Sequence, residues 1–257
     1  MEESVNFVDK NSIVRQIWGK SDTILFIFAG ASAEFALNKA VDWLYFTGKL
    51  PRDPIGRLFS TVSYARRIVF SPMETANKAI DSITAIHSAV EHSRGATIPD
   101  WAYRDVLFML IHYSIASFEL LERKLSLAEK EEVYDVFYRM GSRMGLKDLP
   151  LTFTEWLVMR ENHLKNNLAL SKFSIDLFKQ YRIHLGPVRY FLLRQGQILV
   201  VPFIVNKLLG LGNFSLLTII IPVYKVFRLV KLDWFIKSIV LPGAYKKQIK
   251  DLDVAQG

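Results

Sequence analysis

Apolar positions along this chain recur at spacings of three and four, and no stretch sustains strict apolar–polar alternation, so the pattern predicts an all-α protein. Residues 1–20 read as a polar lead-in or a short helix. Ser21-Asp22 then precede a long apolar run, Thr23–Gly48, and either side chain can cap a helix start by accepting from its free N–H groups. Glu34, Lys39 and Asp42 interrupt the run, which predicts a buried helix or helix pair rather than a membrane span. GKLPRDP is a loop by its Gly and Pro content. From Ile55 the pattern is helical again and places Arg57 and Thr61, four residues apart, on one face. Ser71-Pro72 marks the next start, with proline suited to a first turn. The helix that follows carries Ala76, Ile80, Ile83, His87 and Val90 on a core-facing stripe, so His87 sits among aliphatic residues.

Trp101–Leu121 has no formal charge between Asp105 and Glu119, although it includes His112, and its uncharged run is short for a span; it predicts a central core helix. Ser126 and Glu129 form a capping box that opens a mixed-charge helix ending near Gly141 or Gly145. Thr152 and Glu155 repeat that logic before Trp156–Leu168, and further helices fit Ile175–Leu185 and Pro187–Leu199. Between Gln197 and Tyr224 the only charge is Lys207, and Val223–Pro242 then alternates apolar residues with Lys225, Arg228, Lys231 and Lys237 against a single Asp233. Such a basic amphipathic segment can lie on an anionic membrane. The expected architecture is one all-helical domain over residues 1–257, with apolar and amphipathic C-terminal helices over 197–245.

Composition agrees with a large buried core. Of 257 residues 51% are hydrophobic and 13% aromatic, and the 23% charged fraction argues against disorder. Mean hydropathy is +0.18, and the apolar C-terminal third contributes to it. The net charge of +8 attracts anions without choosing among them. The bases are scattered over helices with no zinc-finger, RNP or Gly/Arg pattern, so a nucleic-acid partner is not expected. The absence of cysteine excludes disulfides, thiolate catalysis, iron–sulfur clusters and thiolate-ligated haem. The start, Met1-Glu2-Glu3-Ser4-Val5, lacks the basic-then-apolar order of a signal peptide, so a cytoplasmic protein with at most peripheral membrane contact is expected.

Candidate chemistry narrows to the histidines. The chain has no HExxH, GxSxG, Walker loop or GxGxxG, and no ExxH pair of the kind a di-iron helical bundle uses. Glu129, Glu131 and Glu132 suit a solvated helix start. His92, His163 and His184 have polar or charged neighbours and read as surface residues. His87 and His112 lie on apolar helical faces, where a neutral imidazole is either a hydrogen-bonded core residue or a ligand for haem iron.

The order of blocks resembles the family of MpaB and the latex-clearing (rubber) oxygenases. AGASAEFALNKAVDWLYFTGKLPRDPIGRLFST matches its apolar helix, its Asp-Pro loop (Asp53-Pro54) and its Arg-Leu-x-x-Thr (Arg57-Leu58, Thr61). Then come His-x-x-Val (His87, Val90), an Asp before an apolar helix with an internal histidine (Asp105 to His112), and the segments around Ser126, Gly145-Leu146 and Leu149-Pro150. The resemblance covers roughly 20–165. It implies a helical fold around a b-type haem, with His87 as proximal iron ligand. It also implies Arg57 and Thr61 beside the cofactor, and Arg57, Thr61 and His112 as candidate catalytic residues. Latex-clearing proteins can carry a lysine directly before the motif threonine; this chain has Ser60 there. The implied activity is a haem-dependent oxygenase that uses dioxygen on an apolar, unsaturated prenyl- or lipid-like substrate. The competing reading is a helical membrane-surface protein that keeps the fold without haem and without catalysis.

Overall fold

A computed structural model describes residues 5–48 and 52–229. Eleven helices occur among the described residues, and the only β pairings are two isolated bridges, Asn6 with Pro72 and Asn38 with Leu168. The all-α expectation is met.

Most helix ends follow local rules. The first helix, α1 (Ile13–Trp18), is capped by Ser12, whose side chain accepts from Val14 N–H. The long apolar run becomes a helix pair, α2 (Ser21–Leu37) and α3 (Asp42–Phe46), divided at Asn38. Ser21 and Asp22 do not cap α2; Lys20 holds that position, and they form the first turn. At α4 (Pro54–Phe70) the Asp53 carboxylate accepts from Gly56 N–H at 2.8 Å and Pro54 fills the first turn, where its missing N–H costs nothing. At α5 (Met73–Arg94) the proline stands one place earlier than expected, as the cap. That helix ends at Gly95, whose φ of 66° lets Ala96 N–H reach back to the Glu91 carbonyl at 3.3 Å.

Central α6 (Asp100–Leu121) is followed by α7 (Leu127–Arg143), which has the predicted Ser126–Glu129 capping box. At α8 (Phe153–Asn166) Thr152 caps Glu155 N–H, but the Glu155 carboxylate accepts from Leu151 N–H, one residue further back than a capping box requires. The two helices expected over 175–199 are present as the two segments of α9 (Lys172–Val200), divided at Gly186 (φ 72°, ψ 171°), whose backbone is not helical because Pro187 disfavours helical backbone at the preceding residue. Short α10 (Phe203–Leu209) and α11 (Leu217–Leu229) complete the described chain. The rest of the basic segment predicted over 223–242, from 230 onward, lies outside the described residues.

Helix α2 is the axis of the packing, lying against α1, α6, α9 and α10. That explains why it is apolar all round: a helix with no solvent face has no polar stripe. Gly30 brings it within van der Waals distance of the Tyr113 ring on α6, closer than any side chain would allow. The largest core cluster gathers Trp18, Phe108, Tyr113, Phe137 and Trp156 from α1, α6, α7 and α8. A second cluster joins α2 to α9 and α10 around Leu37, Leu177 and Val205. The hairpin of α4 and α5 packs on one side of this frame, and the space between them is the site.

Candidate functional site

A cavity of about 330 Å³ lies between the α4–α5 hairpin and the frame of α2, α6 and α7. The hydrophobic stripe of α5 explains which residues face it. Ala76 and Ile80, early in the helix, are fully packed, whereas Ile83, His87 and Val90, further along, are half-exposed because they line the cavity. On α4, Arg57, Ser60, Thr61 and Tyr64 line it from the opposite side. Beyond Tyr64 the wall is aliphatic and aromatic (Ile68, Val69, Phe28, Phe137) with Met140 and Met144. The cavity therefore has one polar end and one apolar end. Its volume is at the lower limit for small-molecule and cofactor pockets, roughly 300–1,000 Å³.

His87 is the ligand-competent group at the polar end. Its Nδ1 is buried and, among the described residues, has no hydrogen-bond partner. Burial holds the imidazole pKa below its usual value, the Arg57 charge pushes the same way, and Glu91 opposes them incompletely. The ring is consequently neutral near pH 7, the form that binds metal. Tyr103 packs against it, ring centroids 5.1 Å apart, and the Tyr103 hydroxyl donates to Glu91 Oε1 at 3.0 Å. Glu91 Oε1 also accepts from Ile98 N–H at 2.8 Å, so the turn after α5 anchors the residue that holds Tyr103. Sequence reasoning missed Tyr103 and Tyr64, since an aromatic at core spacing carries no mark of a cavity wall.

Arg57 lines the same end and makes no ion pair with a carboxylate among the described residues. A guanidinium facing a cavity without an acid is a ready partner for an anionic group. The Thr61 hydroxyl donates to the Arg57 carbonyl at 3.3 Å, so its side chain also steadies the turn that carries Arg57. The structure thus brings His87, Arg57, Thr61 and Ser60 together. It sets His112 apart from them: that ring does not line the cavity, packs edge-on to Tyr113 with centroids 4.9 Å apart, and donates to the Val200 carbonyl. Burial first, then the Arg160 charge, holds its pKa down to about 4.

A second constellation was not foreseen. His163, read from its neighbours as a surface residue, is only 4% exposed. Its Nε2 lies 3.0 Å from Glu34 Oε1, and its Nδ1 lies 2.5 Å from Asp105 Oδ1 in a contact off the ideal hydrogen-bond direction. Arg160 grips both oxygens of Glu34, through Nη1 to Oε1 and through Nη2 to Oε2 at 2.5 Å. Tyr113 O–H donates to Glu34 Oε2 at 2.8 Å, and Asn38 and Asn167 donate to Asp105 Oδ2 at 3.3 and 2.9 Å. Burial alone would raise the Glu34 pKa, but the charge and hydrogen bonds of Arg160 and His163 overcome it and hold it well below the carboxylate range. His163 is raised against its own burial by the two carboxylates. These polar groups face one another, so the cluster ties α2, α6 and α8 together. It meets the cavity only through Asn38.

Taken together, the fold and the cavity define an all-helical protein built around an apolar pocket whose one end carries a histidine and an arginine that, among the described residues, pairs with no carboxylate. Among the described residues no group of three or more His, Asp or Glu side chains is placed to hold a metal ion. Residues 17–226 match the family described as ER-bound oxygenase mpaB/B'/Rubber oxygenase, catalytic domain, and the chain belongs to that family. The match extends beyond the 20–165 block on both sides and includes α9, α10 and most of α11. No curated protein and no solved structure shows significant similarity to the chain. No helix among the described residues is long and apolar enough to cross a membrane.

Proposed function

We propose that this oxygenase-family domain is haem-dependent, that His87 would hold the iron, and that it acts on an apolar, unsaturated prenyl- or lipid-like substrate. The observation that carries the reading is the buried, unpartnered Nδ1 of a neutral His87 at the cavity end where Arg57 also lacks an acid. Those residues fit a b-type haem: a neutral imidazole for iron, a guanidinium for a propionate, and an aliphatic wall for a porphyrin face. When bound, haem supplies the redox chemistry that brings dioxygen to a carbon–carbon double bond. The chain's own part is to exclude water with the apolar wall, to hold the imidazole against Tyr103, and to neutralise an anionic group through Arg57. Ser60 stands where some rubber oxygenases have a lysine, so this face of the cavity offers a hydroxyl and no side-chain amine. Thr61 steadies the turn that carries Arg57, and His112, packed on Tyr113 away from the cavity, is left without a role at the cofactor.

The test is the visible spectrum of protein produced with ample haem. A Soret band that disappears in His87→Ala and persists in His112→Ala supports the reading; a colourless, folded wild type overturns it. Arg57→Gln should weaken haem retention roughly ten- to hundredfold, the scale of a charge-assisted hydrogen bond. A non-catalytic membrane-surface protein without haem is the alternative that a colourless wild type would favour.

A further inference from the structure

Helix α11 packs with one face, and among the described residues nothing covers another. At about 100° per residue, Leu217, Ile221, Tyr224 and Arg228 fall on one side. That side lies against the body: Ile221 and Tyr224 join Leu121 in a buried cluster. Tyr224 O–H donates to Asp22 at 2.9 Å, while Arg228 reaches Asp22 at 3.0 Å and Glu122 at 2.7 Å. The helix is therefore held firmly on α2 and α6. The other side carries Leu216, Ile219, Ile220, Val223, Val226 and Phe227 within an arc of about 120°. All six are exposed, Ile219 by 64% and Val226 by 60%. Phe214 in the preceding loop, 60% exposed, extends the patch. A soluble surface helix has polar residues there, so this stripe is built to be covered.

The charge pattern identifies what covers it. From residue 177 to residue 232 the sequence holds no Asp or Glu, against 25 in the whole chain, and eight Lys or Arg. The elements that carry this stretch are tied together: Leu216 N–H donates to Gln195 Oε1 at 2.6 Å, and Arg194 donates to the Gly210 carbonyl at 3.3 Å. Arg228 is paired with Asp22 and Glu122, and a second copy of the chain would still bring the remaining bases of both stretches together, which disfavours that pairing. An anionic lipid surface offers both the apolar layer for the stripe and the negative charge for its flanks.

We propose that α11 is the membrane-docking element of this protein, lying in the plane of an anionic phospholipid surface with Ile219, Ile220, Val223, Val226 and Phe227 among the acyl chains. It lies on the membrane and does not cross it. The docking does not depend on the haem reading, because α11 contributes no cavity residue. The experiment is vesicle flotation of the full chain, with phosphatidylcholine alone and with phosphatidylserine added, at low and high salt. Binding should be on the order of tenfold or more tighter with phosphatidylserine, and weaker in high salt. Ile219→Asp/Val223→Asp should lose it by at least about tenfold, and the milder Val223→Ser/Val226→Ser by less, with unchanged circular dichroism, since all these positions point to solvent. Absence of binding to phosphatidylserine vesicles, equal binding by the Asp variant, or a concentration-dependent dimer lost in that variant without vesicle binding would each overturn the proposal.

Discussion

Replacing Arg160 with methionine should be among the most damaging single changes in this protein, although the residue lies outside the cavity. The substitution keeps most of the aliphatic volume and removes the guanidinium. Glu34, fully buried, then loses two of the four side-chain hydrogen bonds that reach it and its principal countercharge. Tyr113 and His163 remain, but the burial that Arg160 had overcome now acts on an under-paired carboxylate. Stranding one member of a buried ion pair costs about 3–5 kcal/mol. At roughly 2–4 °C per kcal/mol for a domain of this size, that is a fall in Tm of roughly 6–20 °C.

The same geometry predicts how the loss is relieved. Glu34→Gln also destabilises, since it leaves Arg160 buried without its anion. The double variant Glu34→Gln/Arg160→Met should be more stable than the sum of the single losses implies, with a coupling of about 1–3 kcal/mol. Lowering the pH should narrow the gap between wild type and Arg160→Met, because Glu34 without its guanidinium is protonated more readily. Urea unfolding of the four proteins at neutral and acid pH measures all three effects. A loss below about 1 kcal/mol for Arg160→Met, or strictly additive single losses, would refute the claim that α2 and α8 are joined through this pair.

Three further outcomes follow from the same structure. The His163 pKa is raised in the folded state by Asp105 and Glu34 against its burial, so its charge contributes stability in full below about pH 6.5 and loses it as pH rises through the folded value; the stability gap between wild type and His163→Gln should be wider in mildly acidic than in alkaline solution, and a pH-independent gap refutes this. His112 behaves oppositely: its pKa falls from 6.5 to about 4, so stability present above the unfolded value drains away as pH falls through that window, and His112→Leu should flatten this part of the acid limb in a pH series of thermal melts. Gly30→Ala would gain about 1 kcal/mol from helix propensity, but its Cβ would intrude on the Tyr113 ring, and overpacking costs about 1–3 kcal/mol; the net should be destabilising, so a stabilised variant in urea unfolding would show that α2 and α6 can separate freely.

The helices were legible because their periodicity and caps act locally. Ser126 and Glu129 close a capping box wherever the rest of the chain goes, and the α5 stripe through His87 follows from spacing alone. Arg57, Thr61 and His87 were nominated through the order of motifs, and the fold places all three along one cavity. His163 was misread because its neighbours in sequence, Glu161, Asn162 and Lys165, point to other sides of the helix. The informative register was Phe153, Trp156, Arg160 and His163, the buried stripe of α8, in which a cation and an imidazole occupy apolar positions. Two such residues in one stripe call for buried acids elsewhere, and Glu34 inside the all-apolar α2 is the matching anomaly. Which acid meets which base could not be read, since that depends on how α2, α6 and α8 cross.

The positions of the two constellations divide the labour within the molecule. Glu34, Arg160, His163 and Asp105 fix three helices of the frame, and through Asn38 they fix the end of α2 that forms one cavity wall. His87 and Arg57, by contrast, both lie on the α4–α5 hairpin, so their separation is set locally and survives any movement of that hairpin as a unit. Val62, Ile68, Val69, Ala76 and Ile80 pack the hairpin into the main core around its turn, and its polar ties include Arg143 to Asp81 at 2.7 Å, Arg94 to Asp42 at 2.7 Å, and backbone bonds from Phe7 and Met73 near the N-terminal segment. Partly exposed ion pairs of this kind hold with about 0–1 kcal/mol each. The hairpin is therefore anchored by its buried apolar residues around the α4–α5 turn, while the end that carries Arg57 and His87 faces the frame across the cavity.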